Sequence, residues 1–304
     1  MSVSLVKPKG KRPRPRLQIT SVSDFVGHVV KWNLDGAAPT VFRGQRHYGW
    51  HTVPKIFRED NNVYASENLA VRDIVSLHPG EFESDKTMFD RLVRMQHFGL
   101  PTRLLDVTTN PLIALWFATE PSVKSSEYHG AVQAWLVPQH RQRYYDSDLV
   151  SCMANLANLT KKQKEELNIA LIDSATDEEF NKTPVVDTLV FHIGMEKSHF
   201  RKAIIAEDLE LPLYVKPKMS NKRIIAQSGA FILWGTSAAV DKEQVRMKQD
   251  RIWIHEGDKA KIREHLALLG IHERTIYPEI DKSTKFIADF YGTRGKPRGL
   301  KTLL

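Results

Sequence analysis

Met95-Gln-His-Phe-Gly-Leu-Pro-Thr-Arg-Leu-Leu-Asp-Val-Thr-Thr-Asn-Pro-Leu-Ile-Ala-Leu-Trp-Phe-Ala118 runs from the end of one helix, through a strand, into the start of another. Just upstream, the stretch from Asp85 to Gly99 begins on a capping residue, repeats apolar groups at 88, 92 and 95, and stops on glycine. Downstream, Asn110 followed by Pro111 opens a helix, because proline at the first helical position gives up an N–H that has no intrahelical partner. A strand that delivers the chain to a helix N-terminus presents free N–H groups and a positive dipole end, which suits an anion. Between the two helices, Arg103 and Asp106 stand on either side of Leu104-Leu105, two charges against an apolar wall. The same residues fit a buried Arg–Asp pair and a plain helix cap, and the cap describes Asn110 well.

Outward from this stretch the pattern is mixed. Ser21 to Val30 reads as a capped amphipathic helix with Phe25, Val29 and Val30 on one stripe, and Thr40 to Gly44 as a strand. Gly130 to Val137 alternates as a strand. Residues 139–183 are more polar, with a capping box at Thr160 and Gln163 and a helix through Ile172, and read as an insertion or lid. Strands are expected at Val185–His192, Ala203–Ile205 and Arg223–Trp234, and a last helix at Lys259–Leu269. Helices and strands do not alternate regularly, so the expected class is α+β rather than a doubly wound sheet.

Composition excludes several alternatives. The 304 residues hold 44 Lys+Arg and 36 Asp+Glu, a net charge of +8. Residues 1–16 carry six basic and no acidic residues and 292–304 carry four basic and none acidic, which leaves 34 basic against 36 acidic between them. The basicity belongs to two tails, expected to be flexible and to grip a polyanion without base readout. The domain is expected to span 17–291. One cysteine, Cys152, offers neither an internal disulfide nor a Cys-based zinc cage. The uncharged stretch Ala226–Val240 is too short to span a membrane, and the N-terminus lacks a secretory apolar core. A soluble cytoplasmic protein is the expectation. His47 and His51 stand four apart, but Gly49 and Pro54 argue against the helix that would bring them to one metal, and no metal is expected.

Two further segments place polar groups in apolar surroundings. In Phe42-Arg43-Gly44-Gln45, a strand arginine followed by glycine can reach a phosphate while the backbone comes close to it. A strand-end arginine paired with a core carboxylate is the alternative. In Arg223-Ile-Ile-Ala-Gln227-Ser-Gly229, a glutamine lies among apolar residues ahead of a glycine. A site for a ligand and a structural hydrogen bond are equally good accounts of Gln227.

Together the Phe42-Arg43-Gly44 strand, the Met95–Ala118 stretch, Arg223–Ile232 and His272–Ile280 resemble the FRG-domain family, in patches over about residues 20–290. That family is similar to the ADP-ribosyltransferase superfamily. The resemblance implies split mixed or antiparallel sheets with flanking helices, and NAD as substrate. By position, Arg43 would hold the phosphates or ribose of NAD, with Phe42, Gly44, Gln45 and Arg103 around it. Thr108 and Asn110 would shape the nicotinamide pocket, and Gln227 would face the nicotinamide ribose. The departure is Gln227 itself, since related transferases carry a glutamate there. Asp106 is the first candidate to supply the missing charge, with Glu207 and Asp208 behind it.

Three functions follow from this reading. The first is a toxin-like ADP-ribosyltransferase in bacterial anti-phage defence, modifying a macromolecule, RNA before protein, and held in check by a neutralising protein. The second is a nucleotide- or nucleic-acid-binding module without turnover. The third is an RNA-cleaving enzyme using His97 with Asp106.

Overall fold

A computed structural model describes residues 18–58, 62–121, 128–236, 247–279 and 284. Both basic tails lie outside the described residues. The strands are β1 (Gln18–Ile19), β2 (Val41–Gln45), β3 (Leu104–Thr108), β4 (Gly130–Leu136), β5 (Gln142–Tyr144), β6 (Leu213–Lys216), β7 (Gly229–Leu233) and β8 (Lys248–Ile254). The α-helices are α1 (Val22–Val29), α2 (Glu67–Leu77), α3 (Pro79–Phe82), α4 (Met88–His97), α5 (Pro111–Ala118), α6 (Asp148–Asn155) and α7 (Lys161–Asp173). They continue with α8 (Asp177–Asn181), α9 (Pro184–Gly194), α10 (Ala206–Glu210), α11 (Lys222–Ala226), α12 (Lys259–Leu268) and α13 (Glu273–Ile276). The class is α+β, around one mixed sheet of eight strands in the order β1-β8-β4-β2-β3-β7-β6-β5.

The sheet is two ladders with a weak seam. β2 pairs with β4 over five residues and β4 with β8 over seven, while on the other side β3 pairs with β7 over five. Between the two, β2 and β3 share one register pair, Phe42 with Thr108. Because side chains alternate across a strand, this pair fixes which residues share a face. Phe42, Val132, Ala134, Ile252 and Ile254 form one core with α1, α5 and α12. Leu104, Phe231, Leu233 and Val215 belong to a second core with α4, α6 and α9. The opposite face carries a third, built on Val41, Leu105, Val107, Trp135 and Ile232.

Helix α5 is buried nearly all round, as a sequence of Pro-Leu-Ile-Ala-Leu-Trp-Phe-Ala requires. Its fit to the sheet depends on two glycines. A Cβ at Gly44 would stand 1.8 Å from the Ala114 carbonyl oxygen, and one at Gly130 would stand 2.1 Å from that of Ala118. Asn110 caps it by accepting from the Leu112 N–H at 2.9 Å. Helix α4 carries its capping box at Thr87 and Asp90.

Some expectations are corrected. Val185–His192 is not a strand but the body of α9, where the β-branched residues mislead and the buried Val185, Val186, Leu189 and Ile193 fall at helical spacing after Pro184. Ala203–Ile205 is not a strand, and that role falls to β6. Arg223–Trp234 divides into α11 and β7, joined through Ser228 in the left-handed region at φ 45°. Gln227 therefore caps a helix rather than lying on a strand. Val30 is 79% exposed and leaves the stripe of α1. Residues 139–183 are integral, since β5 extends the sheet beside β6 and α6 buries Val150, Met153 and Ala154 completely.

Candidate functional site

A cleft of about 410 Å³ opens where β2 and β3 part. That volume is within the usual range for small-molecule sites. It is lined from both faces of the sheet: Phe42 and Thr108 stand on one, Arg43 and Val107 on the other. Its walls are the last turn of α4 through Val93, Gln96 and His97, the end of α5 through Phe117 and the following Glu120, and α11 through Arg223 and Ile224.

The two strands leave backbone groups without a ladder partner here, and side chains take some of them over. The Arg43 guanidinium donates through Nη1 to the Asp106 carbonyl oxygen at 2.5 Å, while its Nε is buried without a partner. Burial pushes this guanidinium down to about 10, opposed by the charge of Asp106, so it remains cationic at neutral pH. Two residues along the strand, Gln45 is 3% exposed. Both its amide nitrogen and its amide oxygen are buried without partners. An unsatisfied buried polar group costs on the order of 1–3 kcal/mol, so Gln45 holds two such groups against the fold's interest.

Four arginines line the cleft, Arg43, Arg46, Arg58 and Arg223, against two carboxylates, Asp106 and Glu120. Arg46 lies over the Trp50 ring at 5.1 Å and Arg223 over Tyr277 at 4.9 Å. Trp50 is 41% exposed and offers an aromatic face at the rim. Glu120 accepts from the Tyr277 hydroxyl at 3.2 Å, and burial pushes its carboxyl above the usual range despite Arg263. His97 lies 3.8 Å from Glu279. Burial and then Arg223 push its imidazole below its usual value, which favours the neutral ring at pH 7.

Of the residues singled out in the sequence, Phe42, Arg43, Gly44, Gln45, Asp106, Thr108 and Gln227 come together on this cleft. Several have structural duties as well. Gly44 is required by helix α5 rather than by a ligand. Thr108 donates its hydroxyl to the Gln227 carbonyl oxygen at 2.7 Å and accepts from the Asn110 N–H at 3.0 Å. Gln227 donates its amide nitrogen to the Ile276 carbonyl oxygen at 3.1 Å, the structural bond weighed for it. Asn110 does not line the cleft, and its side chain is the cap of α5.

Arg103 is also elsewhere. It is 1% exposed and donates to both oxygens of Glu67 and to the carbonyl oxygens of Trp234 and Gly235. Lys164 completes this cluster, 2.7 Å from Glu67. Arg103 spends four of its five N–H donors inside the protein and lies off the cleft, and its carboxylate is Glu67 rather than Asp106. Glu207 and Asp208 lie on α10, away from the cleft, where Asp208 pairs with Arg141. Burial pushes the Cys152 thiol up to about 12, an inert group.

Glu120, Arg46, Arg58, Trp50 and Tyr277 had not been singled out. Trp50 and Arg46 follow directly on the Phe-Arg-Gly strand, and Glu120 stands two residues past the buried helix, a charge at the end of an apolar run. His129, His255 and Glu256 place their ligand atoms within 4.8 Å of one another. The Gly257 N–H donates to His255 Nδ1 at 3.1 Å, which leaves Nε2 to carry the proton towards Glu256. The cluster sets the Glu256 carboxylate between two imidazoles, with His255 facing it through Nε2 while Nδ1 accepts from Gly257.

Residues 38–127 match the family model of the FRG domain. The matched span includes β2, β3 and α5, with Arg43, Gln45, Asp106 and Glu120, whereas Arg223 and Gln227 lie beyond it. No curated protein and no solved structure matches the chain. Among the described residues no helix is long and apolar enough to cross a membrane.

Proposed function

We propose that the chain is an ADP-ribosyltransferase that takes NAD in the cleft between β2 and β3 and transfers ADP-ribose to a macromolecule. The observation that supports this most is the arrangement of four arginines around a slot in a sheet with two carboxylates at its walls. Guanidinium groups fit a diphosphate because their planar donors meet its oxygens in pairs. Arg43 takes the deepest position, with Arg46, Arg58 and Arg223 nearer the rim, and Trp50 offers its face to a base.

In the reaction the bond between nicotinamide and the ribose C1′ breaks and nicotinamide leaves with the electron pair. The acceptor nucleophile forms the new bond to C1′ and releases its proton. Positive charge develops on the ribose, and a carboxylate facing it stabilises that charge. Gln227 carries none, and its amide nitrogen is engaged by Ile276. Glu120 and Asp106 are the carboxylates on this cleft, and Glu120, whose carboxyl burial pushes above the usual range, can also receive the acceptor's proton. The acceptor class in this reading is nucleic acid, RNA before protein, drawn in by the basic tails. A toxin-like role in anti-phage defence, with a neutralising protein partner, belongs to the same reading.

The test is consumption of labelled NAD, with transfer to RNA, DNA and protein, by the native chain beside Arg43→Ala and Glu120→Gln. Arg43→Ala is expected to weaken NAD binding at least roughly tenfold. Glu120→Gln is expected to keep binding and lose turnover by roughly 10²–10³. Binding of NAD without turnover would make the domain a nucleotide-binding module instead. Neither binding nor transfer would refute both, and would leave RNA cleavage by His97 and Asp106, which share this cleft, as the reading to pursue.

A further inference from the structure

We infer that Gln45 is the residue that reads the carboxamide of the nicotinamide ring, and so sets which dinucleotide the cleft accepts; this rests on the NAD reading above. A primary amide offers two N–H donors on one side and a carbonyl acceptor on the other. Its natural complement is a second group with one donor and one acceptor side by side. The Gln45 amide nitrogen and oxygen both lack partners, so both halves of the pairing are free to be used. The other amides lining the cleft each have one end engaged: the Gln227 nitrogen by Ile276, the Gln96 oxygen by the Thr102 hydroxyl and the Asn221 oxygen by the Arg223 N–H.

Position supports the same assignment. Gln45 ends β2, two residues from Arg43 and on the same side of the strand. Gln45 therefore lies about 7 Å along the strand from Arg43, on the scale of the ribose that separates the phosphates of NAD from its nicotinamide ring. The strand beyond Phe42 has no register pair with β3, so the side chain can turn into the slot without breaking a ladder between those strands. Its present burial keeps water away, which makes selection strict. A group with two acceptors leaves the Gln45 nitrogen paired and its oxygen facing another oxygen, whereas a carboxamide satisfies both. Sites built to hydrogen-bond one group reject its unmatched analogue far more strongly than apolar pockets do.

The experiment is calorimetric binding of three dinucleotides to the full chain: NAD, its nicotinic acid analogue, and its hypoxanthine analogue in which adenine is replaced. Wild type is expected to bind NAD at least roughly tenfold more tightly than the nicotinic acid form and to treat the hypoxanthine form like NAD. Gln45→Leu is expected to bind NAD more weakly and to hold the first two ligands within about threefold of one another. It should unfold no earlier than wild type on heating, since it removes two unsatisfied groups, and this checks that the variant folds. Discrimination that survives in Gln45→Leu, or that follows the hypoxanthine exchange instead, would overturn the assignment while leaving the NAD reading intact. Failure of all three to bind wild type would overturn the NAD reading, and Gln45's role with it.

Discussion

Arg43 lies on β2 and Arg103 one residue ahead of β3, strands that meet at a single pair, and the two have opposite fates. Arg103 is sealed in, with four of its five donors spent on Glu67, Trp234 and Gly235, and Lys164 closes the other side of the carboxylate. Arg43 faces a cleft, gives one bond to the Asp106 carbonyl and keeps a buried Nε with no partner. Burial of an arginine is therefore not the informative quantity; the count of unspent donors is. A fully satisfied guanidinium holds two parts of a fold together, and a partly satisfied one is ready for a ligand.

The strongest way to break this contrast is Glu67→Gln, which strands two buried cations. It should cost about 3–5 kcal/mol of stability, read from urea unfolding at pH 7; a loss under about 1 kcal/mol would show that the cluster is not what holds α2, α7 and β3 together. The same cluster predicts an acid response. Burial alone would raise the Glu67 carboxyl, but Arg103 and Lys164 outweigh it and hold it below its ordinary 4.5. A carboxylate depressed in the folded state stabilises above its unfolded value and loses that contribution as pH falls through the folded one. The contribution of Glu67 should therefore be level from pH 7 to about 5 and be lost below 4.5, and Glu67→Gln should remove that part of the acid response.

Next in size is Gly44→Ala, which drives a methyl group into α5 and should cost about 1–3 kcal/mol. It should harm stability and ligand binding together, because α5 also carries Glu120 to the cleft. Arg43→Ala should change stability by less than about 1 kcal/mol while weakening dinucleotide binding, the reverse of any change at Arg103. Smallest is Lys182→Ala, which removes the exposed pair with Glu178 and should stay within about 0.5 kcal/mol by thermal unfolding.

Much of the site was legible because its local chemistry repeats known rules. Ser21, Asn110 and Thr160 each cap the helix expected of them, while the cap expected at Asp85 falls to Thr87, with Asp85 accepting from Arg94 instead; the Phe42–Gln45 strand lines the cleft. What failed was long-range. Nothing around Arg103 announces Glu67, 36 residues earlier. Val185 and Val186 have strand propensity, and only their burial against α6 makes them helical, a case of packing overriding preference. Glu120 was hidden because an acidic residue after a helix is ordinary, and only the fold brings it to the cleft.

The single pair between Phe42 and Thr108 has a mechanical consequence. Bending the sheet through β4 and β8 strains seven register pairs, and through β3 and β7 five, but at the seam one pair carries the load. The two halves behave as plates on one pin, with α5 laid across it and seated by Gly44. Under the proposed function, a dinucleotide lying between Arg43 and Glu120 adds a second pin across the same seam.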